Sequence, residues 1–403
     1  MKSAPASVCL ADVADINPWL PTKPKEGDVV SFLGMAAVDA ESGTTSRGEA
    51  RPYGEVSKGY TPFLNDDVLI AKITPCFENC KIAQALIEHP VGFGSTEFHV
   101  IRPKPGKADA RFLLHFLRQP AILHAGERRM TGSAGQKRVP EKYFAALTIP
   151  DLRLDEQRRI ADILDRADAL RAKRRAALAR LDELTQAIFI EMFGNHRQTP
   201  VTIGDRLEKS DSGWSWELLT DMGRLATGHT PDRKRSEYWG GHIPWVTLTD
   251  IRKLDGSIAT QTSEGVTEEG IENSSAVKLP PGTVCFSRTA SVGFVTVMGK
   301  EMATSQDFVN WVCGPKLDPI FLMHAFLLSR ERLRSLSTGS THKTIYFPTV
   351  ERFRVLVPPL DLQKSFRRSI EKISAIKSMY HRMASETDAL FASLQDRAFR
   401  GAL

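Results

Sequence analysis

Two short loops carry side chains of the kind that hydrogen-bond to nucleic acid. They lie in the segments TGSAGQKR and STGSTHKT, and the candidate contact residues are Gln136, Lys137 and Arg138 in the first loop and Ser340, Thr341, His342 and Lys343 in the second. Gln and Arg can form paired hydrogen bonds with adenine and guanine edges, whereas Lys, Ser and Thr suit phosphate oxygens. The glycines let a backbone approach a phosphate closely. Either loop alone is better explained as a solvated surface turn, so the interpretation depends on their recurrence.

A second pair of cations ends two strand-like segments. Lys72 closes VLIAK and is followed by Thr74, while Arg288 closes VCFSR ahead of further hydroxyl side chains. A cation and a hydroxyl at the end of a strand could contact phosphates. A strand-end charge in solvent explains them equally well, and both interpretations stay open.

The loops recur because the whole chain repeats. Lys137 and Lys343 are 206 positions apart, as are Gln157 and Gln363. Upstream, the offset grows to 210 for Phe98 with Phe308 and to 216 for Val68 with Val284. Several pairs in the same order indicate two copies of one plan, with loops of different length between them.

Each copy predicts a mixed α/β domain followed by a long helix. β-type runs such as DVLIAKI and EFHVIRP alternate with turn formers, and one helix-type run precedes each basic loop. This pattern favours short strands and few helices. The predicted boundaries are residues 1–154 and 214–361 for the two globular domains, 155–194 and 362–403 for the two long helices, and 195–213 for a polar linker.

The long helices carry a heptad pattern. No Gly or Pro interrupts the chain from Asp155 to Phe193, and apolar residues recur at alternating intervals of three and four. Such a stripe needs a partner, so we expect the two helices to pair antiparallel in an intramolecular coiled coil, which gives the chain a pseudo-two-fold repeat. The alternative is that each helix folds back on its own domain. The predicted seam residues are Ile160, Ile163, Leu170, Leu181, Leu184, Ile188, Phe366, Ile373, Ile376, Met383, Leu390 and Leu394.

Composition narrows the classes of protein that fit. The 403 residues carry a net charge of +6, which permits a nucleic-acid partner without establishing one. The five cysteines are odd in number and form no paired CxxC units, so neither a disulfide framework nor a structural zinc site is predicted. Neither a signal peptide nor a run long enough to cross a membrane is recognised. We therefore expect a cytoplasmic protein.

Catalytic motifs are not recognised in the sequence. GFGSTE has Glu97 where the dinucleotide-binding pattern needs its third glycine. The segment beginning at Asp318, DPIF, only loosely resembles the Asn/Asp-Pro-Pro-aromatic loop of amino-methyltransferases and opens an apolar helix. His115 and His324 occupy matching places in the repeat and are expected to be buried and hydrogen-bonded. The sequence thus predicts no catalytic, cofactor-binding or metal-binding residues in this chain.

Longer segments resemble one family. FLNDDVLIAKITPCFENCKIA, GFGSTEFHVIRP and IPDLRLDEQRRI resemble the first target-recognition domain and following helix of type I restriction–modification specificity subunits, and ATGHTPDRKRSEYWGGHIPWVTLTDI and VPPLDLQKSF resemble the second copy. Cys80 and His229 stand where the family pattern suggests glycine. The resemblance implies that each domain reads one half of a bipartite site on double-stranded DNA, while the helices set the spacing.

The resemblance also implies partners. Modification (methyltransferase) subunits, two in number, and restriction (endonuclease/translocase) subunits would dock on the helices, and S-adenosylmethionine, ATP and magnesium would bind to them. The chain itself would be non-catalytic. Two other classes stay open at this point: a coiled-coil scaffold protein, and a divergent stand-alone DNA methyltransferase.

Overall fold

The computed structural model describes residues 6–133, 135–194, 199–204, 213–339 and 343–403. The chain forms two compact units: the first comprises residues 1–177 and 380–403, and the second comprises residues 178–379. Two helices of 40 residues each, Leu154–Phe193 and Leu360–Phe399, contribute to both units. No helix among the described residues is long and apolar enough to cross a membrane.

The first unit is built from short strands with helices packed beside them. Its elements are β1 Ser7–Cys9, α1 Leu10–Val13, β2 Ala14–Ile16, β3 Val29–Leu33, β4 Val38–Asp39, β5 Thr44–Thr45, β6 Glu49–Pro52, α2 Tyr53–Val56, β7 Thr61–Leu64, β8 Val68–Ala71, β9 Ile82–Gln84, β10 Val91–Gly94, β11 Phe98–Pro103, α3 Ala110–Leu117, α4 Pro120–Glu127, α5 Glu141–Ala145, β12 Thr148–Pro150 and α6 Leu154–Phe193. The strand orders are β2-β11-β8-β9-β5-β4, β6-β3-β10-β7 and β1-β12. The predicted strands DVLIAKI and EFHVIRP are β8 and β11, which pair antiparallel.

The core of the first unit lies between the sheet that contains β8 and helix α3. Val68 and Ile70 of β8 point toward the same cluster as Phe112 and Leu113 of α3, and all four are fully or almost fully buried. Asp109 caps α3 by accepting hydrogen bonds from the backbone N–H groups of residues 111 and 112, which fixes where the helix begins.

The second unit repeats this architecture. Its elements are β13 Val201–Ile203, β14 Ser215–Leu218, α7 Leu219–Met222, β15 Gly223–Thr227, β16 Trp239–Val246, α8 Leu248–Lys253, β17 Ile258–Ala259, β18 Glu264–Val266, α9 Glu268–Glu272, β19 Val284–Ser287, β20 Val295–Met298, β21 Ala303–Thr304, β22 Phe308–Cys313, α10 Pro319–Leu328, α11 Arg330–Arg334, α12 Phe347–Val350, β23 Phe353–Val357 and α13 Leu360–Phe399. The strand orders are β15-β22-β19-β20-β17, β18-β16-β21 and β13-β23-β14.

The polar segment expected to be only a linker contains a strand. Strand β13 pairs antiparallel with β23, with Val201 opposite Val355. Both valines are fully buried in the core of the second unit, so part of the segment belongs to that unit. The prediction of a plain linker over 195–213 was wrong at these three residues, because two apolar residues suffice to add an edge strand when a partner strand is available.

The two long helices run antiparallel, as predicted. In the first unit, Arg171 of α6 forms an ion pair with Asp388 of α13 at 2.6 Å, and the Arg174 side chain donates to the carbonyl oxygen of Met383 at 2.8 Å. In the second unit, Asp182 pairs with Lys377 at 2.5 Å, and further along α6 the ring of Phe189 packs against that of Phe366. Within each unit, moving forward along one helix thus moves backward along the other.

The predicted seam is only partly buried. Ile160, Phe366 and Ile373 are buried, but Ile160 and Phe366 pack into the cores of the globular units. Five predicted seam residues are exposed: Leu170, Leu184, Ile376, Met383 and Leu390. A straight helix drifts by about 20° per heptad relative to a 3.5-residue repeat, so a stripe that faces a partner at one level turns away from it further along.

Candidate nucleic-acid interface

The first basic loop is a hairpin, here called the first hairpin (residues 131–138). Thr131 and Arg138 exchange backbone hydrogen bonds of 3.0 and 2.8 Å across its base. Gly132 adopts a φ of 128°, and a Cβ there would lie 2.7 Å from the carbonyl oxygen of Gln136. Glycine is therefore required at this position, since any side chain would collide with the backbone of the turn.

The first hairpin docks on the chain that leaves β8. The Val139 N–H donates to the Lys72 carbonyl at 2.9 Å, and the Thr74 N–H donates to the Lys137 carbonyl at 3.0 Å. The Thr74 hydroxyl donates to the carbonyl of Gly135. Thr74 was predicted to contact DNA, but its hydroxyl is used here to hold the hairpin, because the two segments are adjacent in the fold.

The Arg138 guanidinium forms a hydrogen-bonded ion pair with Glu97. Its Nε and Nη2 atoms donate to the two carboxylate oxygens at 2.9 and 2.8 Å. These hydrogen bonds hold the pKa of Glu97 below its ordinary value. The geometry therefore does not support the prediction that Arg138 hydrogen-bonds to guanine. Its guanidinium N–H groups, which would face the base, face the Glu97 carboxylate instead.

The second basic loop is closed at its base by the same backbone arrangement, and we call it the second hairpin (described residues 338–339 and 343–344). Thr338 and Thr344 exchange backbone hydrogen bonds of 3.0 and 2.9 Å. The Ile345 N–H donates to the Arg288 carbonyl at 2.9 Å, and the Ala290 N–H donates to the Lys343 carbonyl at 3.0 Å. Each of these bonds has its counterpart in the first hairpin, so the repeat seen in the sequence is also a repeat of hydrogen bonding.

Arg288 differs from its counterpart Lys72. Its guanidinium lies 4.7 Å above the ring of Phe347 and donates to the carbonyl oxygen of Gln306 at 2.8 Å. Burial lowers the pKa of this half-buried group, although it stays charged at neutral pH. Its Nε atom is buried with no hydrogen-bond partner among the described residues. The Arg288 side chain is thus held between Phe347 and the Gln306 carbonyl rather than extended into solvent.

The predicted contact residues separate into three groups. Gln136, Lys137 and Lys343 are exposed, and Lys72 is half-buried. Thr74, Arg138 and Arg288 have internal partners, as described above. The predicted residues Ser340, Thr341 and His342 lie outside the described residues. Among the described residues, the exposed predicted contacts therefore lie in the two hairpins.

A cleft beside Lys72 contains aromatic residues that sequence reasoning did not identify. It has a volume of about 430 Å³, and its lining includes Trp19, Tyr60 and His99. Trp19 is 89% exposed and Tyr60 is 39% exposed, which is unusual for such large rings. A tryptophan between two prolines, in PWLP, is a sequence signal that could have indicated an exposed side chain.

Buried glutamines connect each long helix to its own globular unit. Gln157 accepts from the Asp109 N–H at 3.0 Å and donates to the carbonyls of Lys107 and Leu152. Gln363 makes the equivalent bonds, accepting from the Asp318 N–H at 2.8 Å. Because two of the three bonds of each glutamine involve the turn that starts α3 or α10, and the third involves the residues just before the long helix, these glutamines fix the angle at which the long helix leaves the domain.

The residues that resembled parts of an active site have structural roles. Asp318 caps α10 by accepting from the N–H groups of residues 320 and 321, and it pairs with Arg367 at 3.2 Å. His115 is buried and hydrogen-bonded to Asp165 at 2.7 Å, as expected. His324 is buried, but its Nε2 atom has no partner among the described residues, so the expected hydrogen bonding is not met at this atom. Within the described ranges, no group of three or more His, Cys, Asp or Glu residues could hold a metal ion.

Cys80 stands where the family pattern suggests glycine, and its backbone adopts the conformation that glycine favours. Its φ is 53°, in the left-handed region that favours glycine, and its N–H donates to the Phe77 carbonyl at 2.9 Å. The tight turn after β8 therefore forms with cysteine, at the cost of a strained backbone conformation.

Comparison with known proteins decides the family. The model of the type I restriction modification DNA specificity domain matches residues 6–180 and again residues 212–379. The chain belongs to this family. The duplicated match also agrees with the duplicated hairpins and glutamine contacts described above.

Individual relatives in the specificity family match shorter segments. The chain is 41% identical over 152 residues to the EcoAI specificity subunit of Escherichia coli and 40% identical over 154 residues to the EcoEI specificity subunit of the same organism. Each match covers 38% of this chain and 26% of the relative, so the chain spans about a quarter of the length of these relatives. The fold is similar to that of a chain from a study of type I R-M complex assembly and conformational transition, with a TM-score of 0.62, 19% identity, and coverage of 99% of this chain and 98% of that chain.

Proposed function

We propose that this chain is the DNA specificity subunit of a type I restriction–modification complex, with each unit reading one half of a bipartite site. The observation that carries this proposal is the duplicated hairpin, which presents exposed polar or cationic side chains on the same hydrogen-bonded frame in both units. A duplicated reader fits a target with two separate half-sites, because each copy needs only one short stretch of duplex.

Different side chains of the hairpins would contact phosphates and bases. Lys137 and Lys343 would contact phosphates and supply salt-sensitive affinity, because each neutralised phosphate releases condensed counterions. Gln136 is exposed and can form paired hydrogen bonds with an adenine edge in the major groove. Glu97 and Thr74 would act indirectly, by holding the first hairpin in the conformation that presents these side chains.

The long helices would set the separation of the half-sites and offer the surface for partners. Five predicted seam residues are exposed on them, and exposed apolar side chains of this size commonly mark a protein interface. We propose modification (methyltransferase) subunits and restriction subunits as these partners, with S-adenosylmethionine, ATP and magnesium bound by them. The chain itself would select the sequence without catalysing a reaction, and no specific observation favours a scaffold protein or a stand-alone methyltransferase.

Mapping of adenine methylation tests the proposal. The chain is expressed with its cognate modification subunit in a host that lacks other adenine methylation, and modified positions are read across the genome. We expect one split motif with a gap of constant length. A control strain that expresses the modification subunit alone should show no motif. A continuous motif, or the same motif without this chain, would overturn the proposal.

A further inference from the structure

Trp19 is presented to solvent on a backbone that the fold holds in place. Its side chain has no ring, cation or hydrogen-bond partner among the described residues. Its carbonyl oxygen accepts from Nη1 of Arg102 at 3.1 Å, and two residues earlier Asn17 exchanges hydrogen bonds of 2.7 and 3.0 Å with the backbone of Val100. A large ring left in water on a fixed backbone is unusual, and it can bind a ligand with little further loss of entropy.

The ring lies at a concave site within the first unit. The cleft beside Lys72 has a volume of about 430 Å³, which falls in the range of about 300 to 1,000 Å³ typical of small-molecule sites. The ring of Tyr60, a second aromatic wall, is held by an edge contact with Phe32, with 4.9 Å between the ring centroids. We define the aromatic cleft by five of its lining residues, which are Trp19, Tyr60, Lys72, His99 and Glu141.

The charges of the aromatic cleft favour a neutral ligand. Lys72 contributes a positive charge and Glu141 a negative one, while burial lowers the pKa of His99 so that its imidazole is neutral at pH 7. A phosphate gains little from charges that cancel. A nucleobase is neutral, its faces stack on aromatic rings, and its edges carry donors and acceptors that suit a carboxylate and an ammonium group. The lining therefore matches a base better than the DNA backbone.

The aromatic cleft adjoins the first hairpin. The Lys72 carbonyl accepts from the Val139 N–H at 2.9 Å, and Nε2 of His99 donates to the Val139 carbonyl at 2.8 Å. Glu141 follows Val139 by two residues. Because the same short segment closes the hairpin and lines the cleft, a duplex that contacts the hairpin also passes beside the cleft.

The second unit also presents an exposed ring beside its strand-end cation. Tyr346 is 58% exposed, and it follows Ile345, whose N–H donates to the Arg288 carbonyl at 2.9 Å. Trp19 follows β2, whereas Tyr346 follows the second hairpin, so the two rings occupy different positions of the repeat. Rings from different positions that lie near matching cations indicate a use that both units share.

A base inside a duplex shows a protein only its edge, because its faces are covered by the neighbouring base pairs. Enzymes that methylate a base within a duplex first extrude it from the stack. The base on the opposite strand then lacks its pairing partner, and an unpaired base leaves the stack at the least cost. Outside the stack it has two free faces. DNA that is opened in this way therefore offers the kind of ligand that the aromatic cleft fits.

We propose that the aromatic cleft binds the base left unpaired in the first half-site when the modification subunit extrudes the opposite base, and that Trp19 stacks on it. This inference rests on the proposed function, which brings together the half-site and the methyltransferase. A base held in the cleft cannot pair again, so the extruded base stays outside the duplex for longer. The chain then promotes methylation in addition to selecting the sequence.

Binding of abasic DNA tests the inference. The full chain is assembled with its modification subunit and with S-adenosylhomocysteine, which has no methyl group to transfer. Dissociation constants are measured on the split motif found by methylation mapping, either intact or with a tetrahydrofuran residue in place of the base opposite the methylated adenine, in each half-site in turn. The variants are Trp19→Ala, Trp19→Phe and, as the matched control, Leu86→Ala, which shortens an apolar side chain of the same unit that is 42% exposed and lies outside the cleft.

The measured quantity is the affinity for the abasic duplex relative to the intact duplex. In the unmodified complex the abasic residue removes the stacking contact, whereas the Trp19→Ala complex has no such contact to lose. The relative affinity should therefore be about 5- to 150-fold higher for Trp19→Ala than for the unmodified chain, in one half-site only. Trp19→Phe should stay close to the unmodified chain because a phenyl ring also stacks, and Leu86→Ala should equal it.

An equal relative affinity for Trp19→Ala and the unmodified chain overturns the inference. So does a Trp19→Ala chain that no longer retains the modification subunit, since the ring would then belong to a protein interface. The proposed function fails separately, if the unmodified complex does not distinguish the intact motif from a scrambled duplex.

Discussion

The first and second hairpins share a backbone and differ in side-chain chemistry. Both are closed by paired backbone hydrogen bonds and both dock on the residue that follows a buried strand, Lys72 in one unit and Arg288 in the other. In the first hairpin, Arg138 is neutralised by Glu97. The second has Thr344 at that position and holds Arg288 against an aromatic ring instead. A common frame with different side chains is how two copies of one domain can recognise different half-sites.

The largest expected effect concerns the buried glutamines. It tests whether they stabilise the two units equally. Gln363→Leu removes the partner of the Asp318 N–H and of two carbonyls, and all of these groups lie in or beside the core. We expect a loss of about 2–4 kcal/mol in the stability of the second unit, because buried polar groups are left without hydrogen bonds. Hydrogen exchange of amides in each unit measures the effect.

Gln157→Leu is the matched variant in the first unit. It breaks the equivalent three bonds, so a similar loss is expected there, with little change in the second unit. If either variant leaves protection in its own unit unchanged, the glutamines do not hold the helices to the domains.

The comparison also separates what the sequence could predict from what it could not. The repeat, the strands and the two uninterrupted helices follow from spacing and from the positions of Gly and Pro. The pairing of Arg138 with Glu97 could not be foreseen, because the partner is 41 positions away and meets it only through strand pairing. Nor does a heptad pattern reveal that Leu170 and Leu390 are exposed, since burial depends on how the two helices cross.

The next effect concerns the matched histidines, and it depends on pH. Burial, together with nearby Lys377, lowers the pKa of His324 to about 4, from an ordinary value of 6.5. The unfolded chain therefore takes up a proton between pH 6.5 and 4 that the folded chain does not. Stability is full above pH 6.5 and should fall by about 1.4 kcal/mol per pH unit as pH drops toward 4.

His324→Leu should abolish this part of the acid sensitivity in the second unit, because leucine does not titrate. His115→Leu is the comparison in the first unit, where the imidazole is hydrogen-bonded to Asp165. Denaturation curves recorded at several pH values measure both. An identical pH dependence for the unmodified chain and the His324→Leu variant would show that this imidazole does not control the loss of stability.

A smaller effect is expected at the hairpin tips. Lys137→Ala and Lys343→Ala should each flatten the slope of log affinity for DNA against log salt by about 0.9, because each lysine would contact one phosphate. Lys142→Ala is the control, as an exposed cation on α5 outside the hairpin. Unchanged slopes in both tip variants would remove the hairpins from the interface.

The smallest effect concerns the ion pair that distinguishes the first hairpin. Glu97→Gln should release Arg138 at only a small cost in stability, because the Arg138 side chain is 41% exposed and solvent screens the pair. Since the folded-state pKa of Glu97 is lowered, its contribution is present above pH 4.5 and is lost as pH falls through the folded value. The protection factors of the hairpin amides, which correct for the pH dependence of intrinsic exchange, should therefore fall at acidic pH in the unmodified chain and be low at all pH values in the variant.

The same variant distinguishes two roles for Glu97. If the carboxylate only positions the hairpin, Glu97→Gln weakens binding to all duplexes alike. If it also keeps Arg138 away from the bases, the freed guanidinium gains access to the groove, and the preference at one base pair of the first half-site should shift toward guanine. Selection of binding sites from a randomised half-site decides between them, and the second half-site, which is read by a hairpin without this ion pair, serves as the internal control.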